Sequence, residues 1–256
     1  MRYTRYYTCL LQSLSVRTML LFYTFFSALL LASALLLCLL LPICDAMTIT
    51  LDPGHSYSKP GAISCSGVGE VFFNDALAAR LASALRKAGH IVRLTRKGEE
   101  SPTLIQRAAS AKGSSLLISL HHDSVQPQFL QQYTDSSGKD QLCSRHAAGY
   151  SVFVSRKNAN PEHSIAIASI IAHSLRQAGF TPSLHHTEDV TGERKEFDSS
   201  LGIYYYDNLV VLKKSPVPAL LIEVGVIKNP EEEKNLSDTN VMDAFSAGIV
   251  EAVSYK

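Results

Sequence analysis

The chain has 256 residues, a formal net charge of +1 at pH 7, and 46% hydrophobic residues. The balanced charge and the apolar fraction suit a globular protein. Residues 47–256 contain no basic tract, so we expect no nucleic-acid partner.

The first 46 residues differ in composition from the rest of the chain. Three arginines, at positions 2, 5 and 17, precede an uncharged, Leu-rich run from Met19 to Ile43. The next residues, Cys44-Asp45-Ala46, resemble the small-x-small cleavage site of a secretory signal peptide. An uncharged run of this length also satisfies the rule of about 18 apolar residues for a transmembrane helix.

Residues 1–46 therefore have two interpretations, a cleaved signal peptide and a membrane anchor. Met47 opens a predicted buried strand without a spacer, so a retained helix would pass directly from the bilayer into the domain core. We favour cleavage after Ala46, with membrane contact only if the leader is uncleaved. On either interpretation residues 47–256 are exported, to the periplasm or cell envelope, with anchored and secreted forms as alternatives.

The exported residues alternate between short apolar runs and amphipathic segments. We predict strands at Thr48–Leu51, His90–Thr95, Ser115–His121, Tyr150–Ser155, Leu209–Leu212 and Ala219–Val224. We predict helices at Glu70–Ala88, Leu104–Lys112, His163–Ala178 and Met242–Ser254. This alternation indicates one three-layer α/β domain, with a mostly parallel central sheet of about six strands flanked by helices.

Two segments do not follow the alternation. Val125–Ala148 and Leu184–Asp207 are long, polar and irregular in pattern. Loops longer than about 12–15 residues are uncommon in compact domains and are often functional.

Ionisable residues lie at the ends of several predicted strands. His55 follows the first strand, His121 closes "LLISLH", Glu223 lies in "ALLIEVG", and Glu70 opens the first helix. Ligands of open α/β sheets bind beyond the carboxyl ends of the strands. Two histidines and a glutamate form a known catalytic zinc set, and a further carboxylate would serve as general base.

Each of these residues also has a structural interpretation. A glutamate in the first turn of a helix interacts favourably with the helix dipole, and a histidine after a strand often only hydrogen-bonds a loop. Glu223 is harder to explain structurally, because a carboxylate in an apolar strand is costly unless it is paired or near a metal. The choice between His121 and His122 stays open, since successive strand side chains face opposite sides.

Four sequence blocks, "LDPGH", "GVGEVFFN", "ISLHHDS" and "PALLIEVGVIKNPEE", occur in a specific order and spacing. Together they resemble the zinc-dependent N-acetylmuramoyl-L-alanine amidases of the Amidase_3 family, across residues 47–256. The resemblance implies one zinc ion per chain, bound by His55, Glu70 and His121 rather than His122. It implies that Glu223 is the catalytic residue.

The resemblance further implies a peptidoglycan hydrolase that cleaves the amide between the lactyl group of N-acetylmuramic acid and L-alanine. Zinc would activate water, with Glu223 as general base, and we expect a monomer. One alternative is another zinc peptidase, such as a carboxypeptidase that clasps its substrate carboxylate with Arg145, Arg156 or Arg194. The other is a non-catalytic wall-binding relative, which would have lost a ligand or the base.

Relatives that act in cell division often carry a helical insert that plugs the zinc site. In this chain only "NANPEH" occupies that place, and six helical residues span about 9 Å, too short for a plug. We therefore expect an open site that needs no activator. The competing possibility is that Val125–Ala148 folds over the zinc and offers Asp135, Asp140 or His146 as a ligand.

Two cysteines remain once the leader is set aside. Cys65 lies between two implied zinc ligands, and Cys143 lies in the long segment after the third. If both segments edge one crevice, a Cys65–Cys143 disulfide is geometrically plausible in an oxidising compartment, and two free thiols are the alternative.

Overall fold

The computed structural model describes residues 23, 25–31, 33, 46–134, 138, 140–187 and 195–254. The chain divides into two compact units, Met1–Cys44 and Asp45–Lys256. Of the predicted cleavage site Cys44-Asp45-Ala46, the first two residues lie outside the described residues. Within the described ranges, no helix has both the length and the apolar character needed to cross a membrane.

The larger unit contains nine strands, seven of which form one mixed sheet in the order β2-β1-β3-β9-β6-β8-β7. The strands are β1 (Thr48–Pro53), β2 (Ile91–Leu94), β3 (Leu116–Asp123), β4 (Gln131–Thr134), β5 (Asp140–Cys143), β6 (Ser151–Val154), β7 (Lys195–Asp198), β8 (Ile203–Tyr205) and β9 (Ala219–Val226). Strands β4 and β5 form a separate antiparallel hairpin. These counts refer to the described residues.

The helices are α1 (Glu70–Lys87), α2 (Leu104–Ser110), α3 (Pro161–Gln177), α4 (Val210–Lys214), α5 (Pro230–Leu236) and α6 (Thr239–Ser254). Side chains of α1, α3 and α6 pack with one face of the sheet in the main hydrophobic core. Val211 and Leu212 of α4 pack with the opposite face, beside Leu117 and Leu221. The predicted three-layer α/β architecture is therefore confirmed.

Most of the sheet is parallel, as predicted. The pairs β1–β2, β1–β3, β3–β9 and β6–β8 are parallel, whereas β6–β9 and β7–β8 are antiparallel. The parallel block β2-β1-β3-β9 brings the carboxyl ends of β1 and β3 together. The first helix begins at the same edge, so its N-terminus faces these strand ends.

One predicted strand is wrong. Leu209–Leu212 is not a strand, because Val210–Lys214 forms a short helix. A four-residue apolar run has no periodicity that separates a strand from a buried helical turn. Strands β7 and β8 lie inside the segment that the sequence indicated to be irregular, and the β4–β5 hairpin lies inside the other one.

Candidate metal centre

Three side chains that are distant in sequence converge at the carboxyl edge of the sheet. His55 follows β1, Glu70 is the first residue of α1, and His121 lies near the end of β3. Nε2 of His55 lies 2.9 Å from Oε2 of Glu70, and Nδ1 of His121 lies 2.9 Å from Oε1. One donor atom from each residue falls within 4.8 Å of the others, a spacing that allows all three to bind one ion. We call these residues the first ligand group.

The backbone at His55 adopts a conformation that non-glycine residues rarely use. Its φ angle is 63°, in the left-handed region, where a residue with a Cβ is strained. Arg107, which is buried, donates hydrogen bonds to the carbonyl of His55 and, at 2.8 Å, to that of Pro53. Buried Arg96 donates to the carbonyls of Pro53 and Gly54 at 3.2 and 3.4 Å. The two arginines therefore hold the strained loop in place.

A buried carboxylate compensates the charge of Arg107. Oδ1 of Asp52 accepts a hydrogen bond of 2.7 Å from Nη1 of Arg107, and Oδ2 accepts one of 2.7 Å from Ser119. The side chains of Asp52 and Arg107 are only 1% and 5% exposed. A buried pair of this kind is stable only when its remaining atoms are also hydrogen-bonded, which these contacts provide.

Two glycines allow the ligands to approach the backbone. A Cβ at Gly54 would lie 2.3 Å from the ring of His121. A Cβ at Gly61 would lie 2.4 Å from Oε2 of Glu70 and 2.6 Å from the ring of His55, and its φ of +79° also favours glycine. Any residue larger than glycine at position 54 or 61 would therefore displace the side chains of His55, Glu70 or His121.

Glu70 is oriented by partners besides the two histidines. Its carboxylate accepts hydrogen bonds from the backbone N–H of Ala62 at 3.1 Å, from the backbone N–H of His122 at 3.2 Å and from Nδ2 of Asn74 at 3.2 Å. Burial raises the pKa of Glu70, but the hydrogen bonds from His121 and His55 outweigh it and hold that pKa well below its usual range. The carboxylate of Glu70 is therefore ionised, the state that a metal ligand requires.

His122 points away from this group, as the alternation of strand side chains requires. Its Nδ1 lies 2.8 Å from Oδ1 of Asn74, and its ring lies 5.5 Å from that of Phe73. Burial lowers the pKa of His122 to about 3, so its ring is neutral. The side chain beside Glu70 is that of His121.

Glu223 lies next to the first ligand group on the adjacent strand. Its register partners are His121 on β3 and Ser151 on β6, and neighbouring strands lie about 4.8 Å apart. The residue is partly buried within a strand that is otherwise buried. Glu223 is thus the register neighbour of His121 and is not one of the three residues whose donor atoms converge.

The long segment after β3 is more ordered than the sequence indicated. A disulfide joins Cys65 to Cys143, as predicted, and ties the β4–β5 hairpin to the loop between His55 and Glu70. Asp140 accepts hydrogen bonds from Gln132 and Thr134 within the hairpin, both at 2.7 Å.

His146, the second candidate ligand in this segment, stacks on Phe129 with ring centroids 3.6 Å apart. Neither Asp140 nor His146 therefore belongs to the first ligand group; Asp135 lies outside the described residues. The side chains of His55 and His121 remain 32% and 19% exposed, so the group is reachable from solvent.

Two arginines considered for binding a substrate carboxylate already have acidic partners. Arg145 pairs with Glu231 at 2.8 Å on the surface. Arg156 pairs with Asp207 and lies over the ring of Tyr205. The third candidate, Arg194, lies outside the described residues. Arg145 and Arg156 therefore each pair with a carboxylate of the protein itself.

The sequence did not identify the residues that support the ligands. Asn74 was recognisable in principle, because it lies four residues after Glu70 and so on the same helix face. The sequence pattern contains no indication that Arg96 and Arg107 are buried, because their partners lie about 40 to 55 positions away.

A family model described as N-acetylmuramoyl-L-alanine amidase matches residues 49–255. The chain is 26% identical over 217 residues to the N-acetylmuramoyl-L-alanine amidase AmiA of Escherichia coli, covering 80% of this chain and 74% of that protein. It is 28% identical over 208 residues to the probable cell wall amidase LytH of Staphylococcus saprophyticus, covering 80% and 57%.

Solved structures show the same fold. The catalytic domain of CwlV, an amidase from Bacillus (Paenibacillus) polymyxa, aligns with a TM-score of 0.59 at 24% identity, covering 81% of this chain and 96% of that one. Ami1 from Mycobacterium smegmatis aligns with a TM-score of 0.63 at 20% identity, covering 82% and 96%. Because the family model spans most of the sequence, the chain belongs to the N-acetylmuramoyl-L-alanine amidase family.

Proposed function

We propose that this protein is a zinc-dependent peptidoglycan hydrolase. It cleaves the amide that joins the lactyl group of N-acetylmuramic acid to L-alanine of the stem peptide. The observation that carries the proposal is the convergence of His55, Glu70 and His121 beside Glu223, in a chain of the amidase family.

The first ligand group fits one zinc ion. Two imidazole nitrogens and one carboxylate form a catalytic zinc set that leaves a fourth position for water or substrate. The clash of a Cβ at Gly61 with Glu70 and His55 indicates how closely the surrounding backbone encloses these donors. When bound, zinc would supply a Lewis acid that lowers the pKa of water to about 7 and polarises a carbonyl.

Glu223 is the proposed general base. From its place beside His121 it would accept the proton of the attacking water and then deliver a proton to the nitrogen of the leaving L-alanine. Asn74 and Arg107 have a positioning role. They fix the orientation of Glu70 and of the His55 loop before substrate binds.

The proposed setting is the cell envelope. Residues 1–46 would direct export and be removed after Ala46, and residues 47–256 would act as a monomer on peptidoglycan. Mass measurement of the exported protein tests the cleavage position, because a retained leader would leave the first 46 residues attached.

Digestion of purified peptidoglycan tests the reaction. We expect free stem peptides that begin with L-alanine, beside intact glycan strands, when the soluble products are identified by mass spectrometry. Release of single C-terminal amino acids from the stem peptide would instead indicate a carboxypeptidase. An absence of products with bound peptidoglycan would indicate a wall-binding relative.

Glu223→Gln separates chemistry from metal binding. This variant should keep its zinc and its binding to peptidoglycan, while turnover falls by a factor of about 10² or more, as expected for the loss of a general base. Glu231→Gln on the surface is the matched control and should keep its turnover. A Glu223→Gln enzyme with a near-normal rate would remove Glu223 from the mechanism.

A further inference from the structure

A second set of potential ligands lies beyond the first ligand group on strand β3. Oδ2 of Asp123 lies 3.0 Å from Nε2 of His185 and 2.6 Å from Nε2 of His186. One donor atom from each of these three residues falls within 4.8 Å of the others. We propose that they form a second binding site for a divalent transition-metal ion, and we call them the second ligand group.

The carboxylate oxygen at the centre of this group lacks a well-directed hydrogen bond. Oδ2 of Asp123 is buried, and within the described part of the chain no donor meets hydrogen-bond geometry with it, although two imidazole nitrogens are close. The other oxygen, Oδ1, accepts a hydrogen bond of 2.7 Å from the N–H of Ser124. Two imidazole nitrogens that converge on one buried carboxylate oxygen form a donor set that a single ion can share.

The distances are compatible with ion binding. Bonds of about 2.0–2.2 Å in a tetrahedral arrangement place donor atoms about 3.3–3.6 Å apart. The observed separations of 2.6 and 3.0 Å are shorter, so binding an ion requires the imidazole nitrogens to move away from Oδ2 of Asp123 by about 0.3–1.0 Å. Two imidazole nitrogens with one carboxylate suit zinc and other late first-row ions better than magnesium or calcium, which prefer oxygen ligands.

His185 is held in the orientation that such a site requires. Its Nδ1 lies 2.7 Å from Oγ of Ser183, and metal-binding histidines usually form an outer hydrogen bond of this kind. The N–H of Ser183 in turn donates to the carbonyl of Tyr150 at 2.7 Å, and its carbonyl accepts from the hydroxyl of Tyr204 at 2.8 Å. These contacts fix the imidazole of His185 with its Nε2 3.0 Å from Oδ2 of Asp123.

His186 is fixed by aromatic neighbours. Its ring lies 5.0 Å from that of Phe153 and 5.6 Å from that of Tyr204, both in edge-to-face orientation. The side chain is 1% exposed, compared with 15% for Asp123 and 10% for His185. His186 is thus packed against residues of strands β6 and β8, and all three side chains are largely shielded from solvent.

The position of the second ligand group indicates what the ion does. Asp123 lies two residues after His121, which corresponds to about 7 Å along a strand. His185 and His186 belong to a short 3-10 turn, His185–Thr187. An ion shared by these residues would fasten that turn to the end of β3, at the margin of the proposed catalytic site.

Metal stoichiometry of the full-length protein tests the proposal. After equilibration with zinc chloride and removal of free ion, we expect two zinc ions per chain by elemental analysis. Asp123→Asn and His186→Ala should each retain one, and His121→Ala should also retain one. His173→Ala, which changes an exposed histidine on α3, is the control and should retain two.

The outcomes separate this proposal from the proposed function. One zinc in the wild type that is lost in His121→Ala and kept in Asp123→Asn would overturn the second site and leave the first intact. One zinc that is lost in Asp123→Asn and kept in His121→Ala would support the second site and overturn the first. Far-UV circular dichroism identifies any variant that fails to fold, and His185→Asn then replaces it in the comparison.

Discussion

The two ligand groups share strand β3 but differ in which elements supply their side chains. The first group takes its ligands from a loop after β1, from the start of α1 and from β3, and its supporting contacts come from buried Arg107 and Asn74. The second group takes two of its ligands from consecutive positions in one short turn.

This difference predicts different roles for an ion at each place. At the first group the hydrogen-bond network and the packed helix define the geometry, so we expect the fold to persist without metal and an ion bound there to supply chemistry. At the second group the ion itself would join a turn to a strand, so its binding energy would contribute to local folding.

Removal of a ligand from the first group should abolish activity and leave the fold intact. For His121→Ala we expect a rate loss of about a thousandfold or more, because a catalytic metal supplies several kcal/mol of transition-state stabilisation. The control is His173→Ala. Peptidoglycan digestion gives the rates and thermal unfolding gives the stability. Comparable rates for the two variants would show that the first ligand group is not the catalytic centre.

The contacts that hold the first ligand group in place should stabilise the fold even when no metal is bound. Arg107→Ala would leave buried Asp52 without its charge partner, at a cost of about 3–5 kcal/mol in the free energy of unfolding. Arg80→Ala removes a surface pair with Asp243, where the cost is about 0–1 kcal/mol. Urea denaturation in the presence of a chelator measures both. Equal midpoints would mean that Arg107 does not support the site.

The parallel block of the sheet was predictable from the sequence because its strands are covered on both faces. Continuous apolar runs such as "LLISL" and "ALLI", when they alternate with amphipathic helices, are typical of buried strands in a parallel sheet. Strand β7, "KEFD", was missed because an edge strand with charged residues contains no apolar run. Its pairing with β8 depends on contacts that its own residues do not indicate.

Candidate site residues were predictable to the extent that they end strands or open helices. His55, Glu70 and His121 occupy such places, and the sheet topology then brings them together. His185 and His186 were not recognised as candidates, because they lie in a polar segment whose position depends on Ser183 and Tyr204. A local sequence pattern indicates where a residue lies within a helix or strand, but it does not indicate where a loop lies in the folded domain.

The Cys65–Cys143 disulfide cross-links the loop between His55 and Glu70 to the β4–β5 hairpin. Replacing both cysteines, in Cys65→Ser/Cys143→Ser, should lower the free energy of unfolding by about 2–4 kcal/mol, since the cross-link restricts the unfolded chain. Reductant should produce a similar loss in the wild type and no change in the double variant. A wild type that is insensitive to reductant would show that the disulfide does not contribute to stability.

The smallest expected effect comes from replacing a glycine beside the first ligand group. A matched glycine elsewhere distinguishes backbone strain from a steric clash with the ligand side chains. Gly61 and Gly113 have φ angles of +79° and +78°, so an alanine at either position carries a similar conformational cost. Only at Gly61 would the new Cβ meet Glu70 and His55, at 2.4 and 2.6 Å, whereas at Gly113 the nearest atom is 3.9 Å away. Both variants should lose stability through backbone strain, and Gly61→Ala should lose more because of the clash. Gly61→Ala alone should lose zinc affinity at the first group, by about 10–100-fold, a loss typical of changes around metal ligands. Zinc titration in an Asp123→Asn background isolates that group. Equal affinities in Gly61→Ala and Gly113→Ala would mean that the ligands of the first group tolerate displacement without losing the ion.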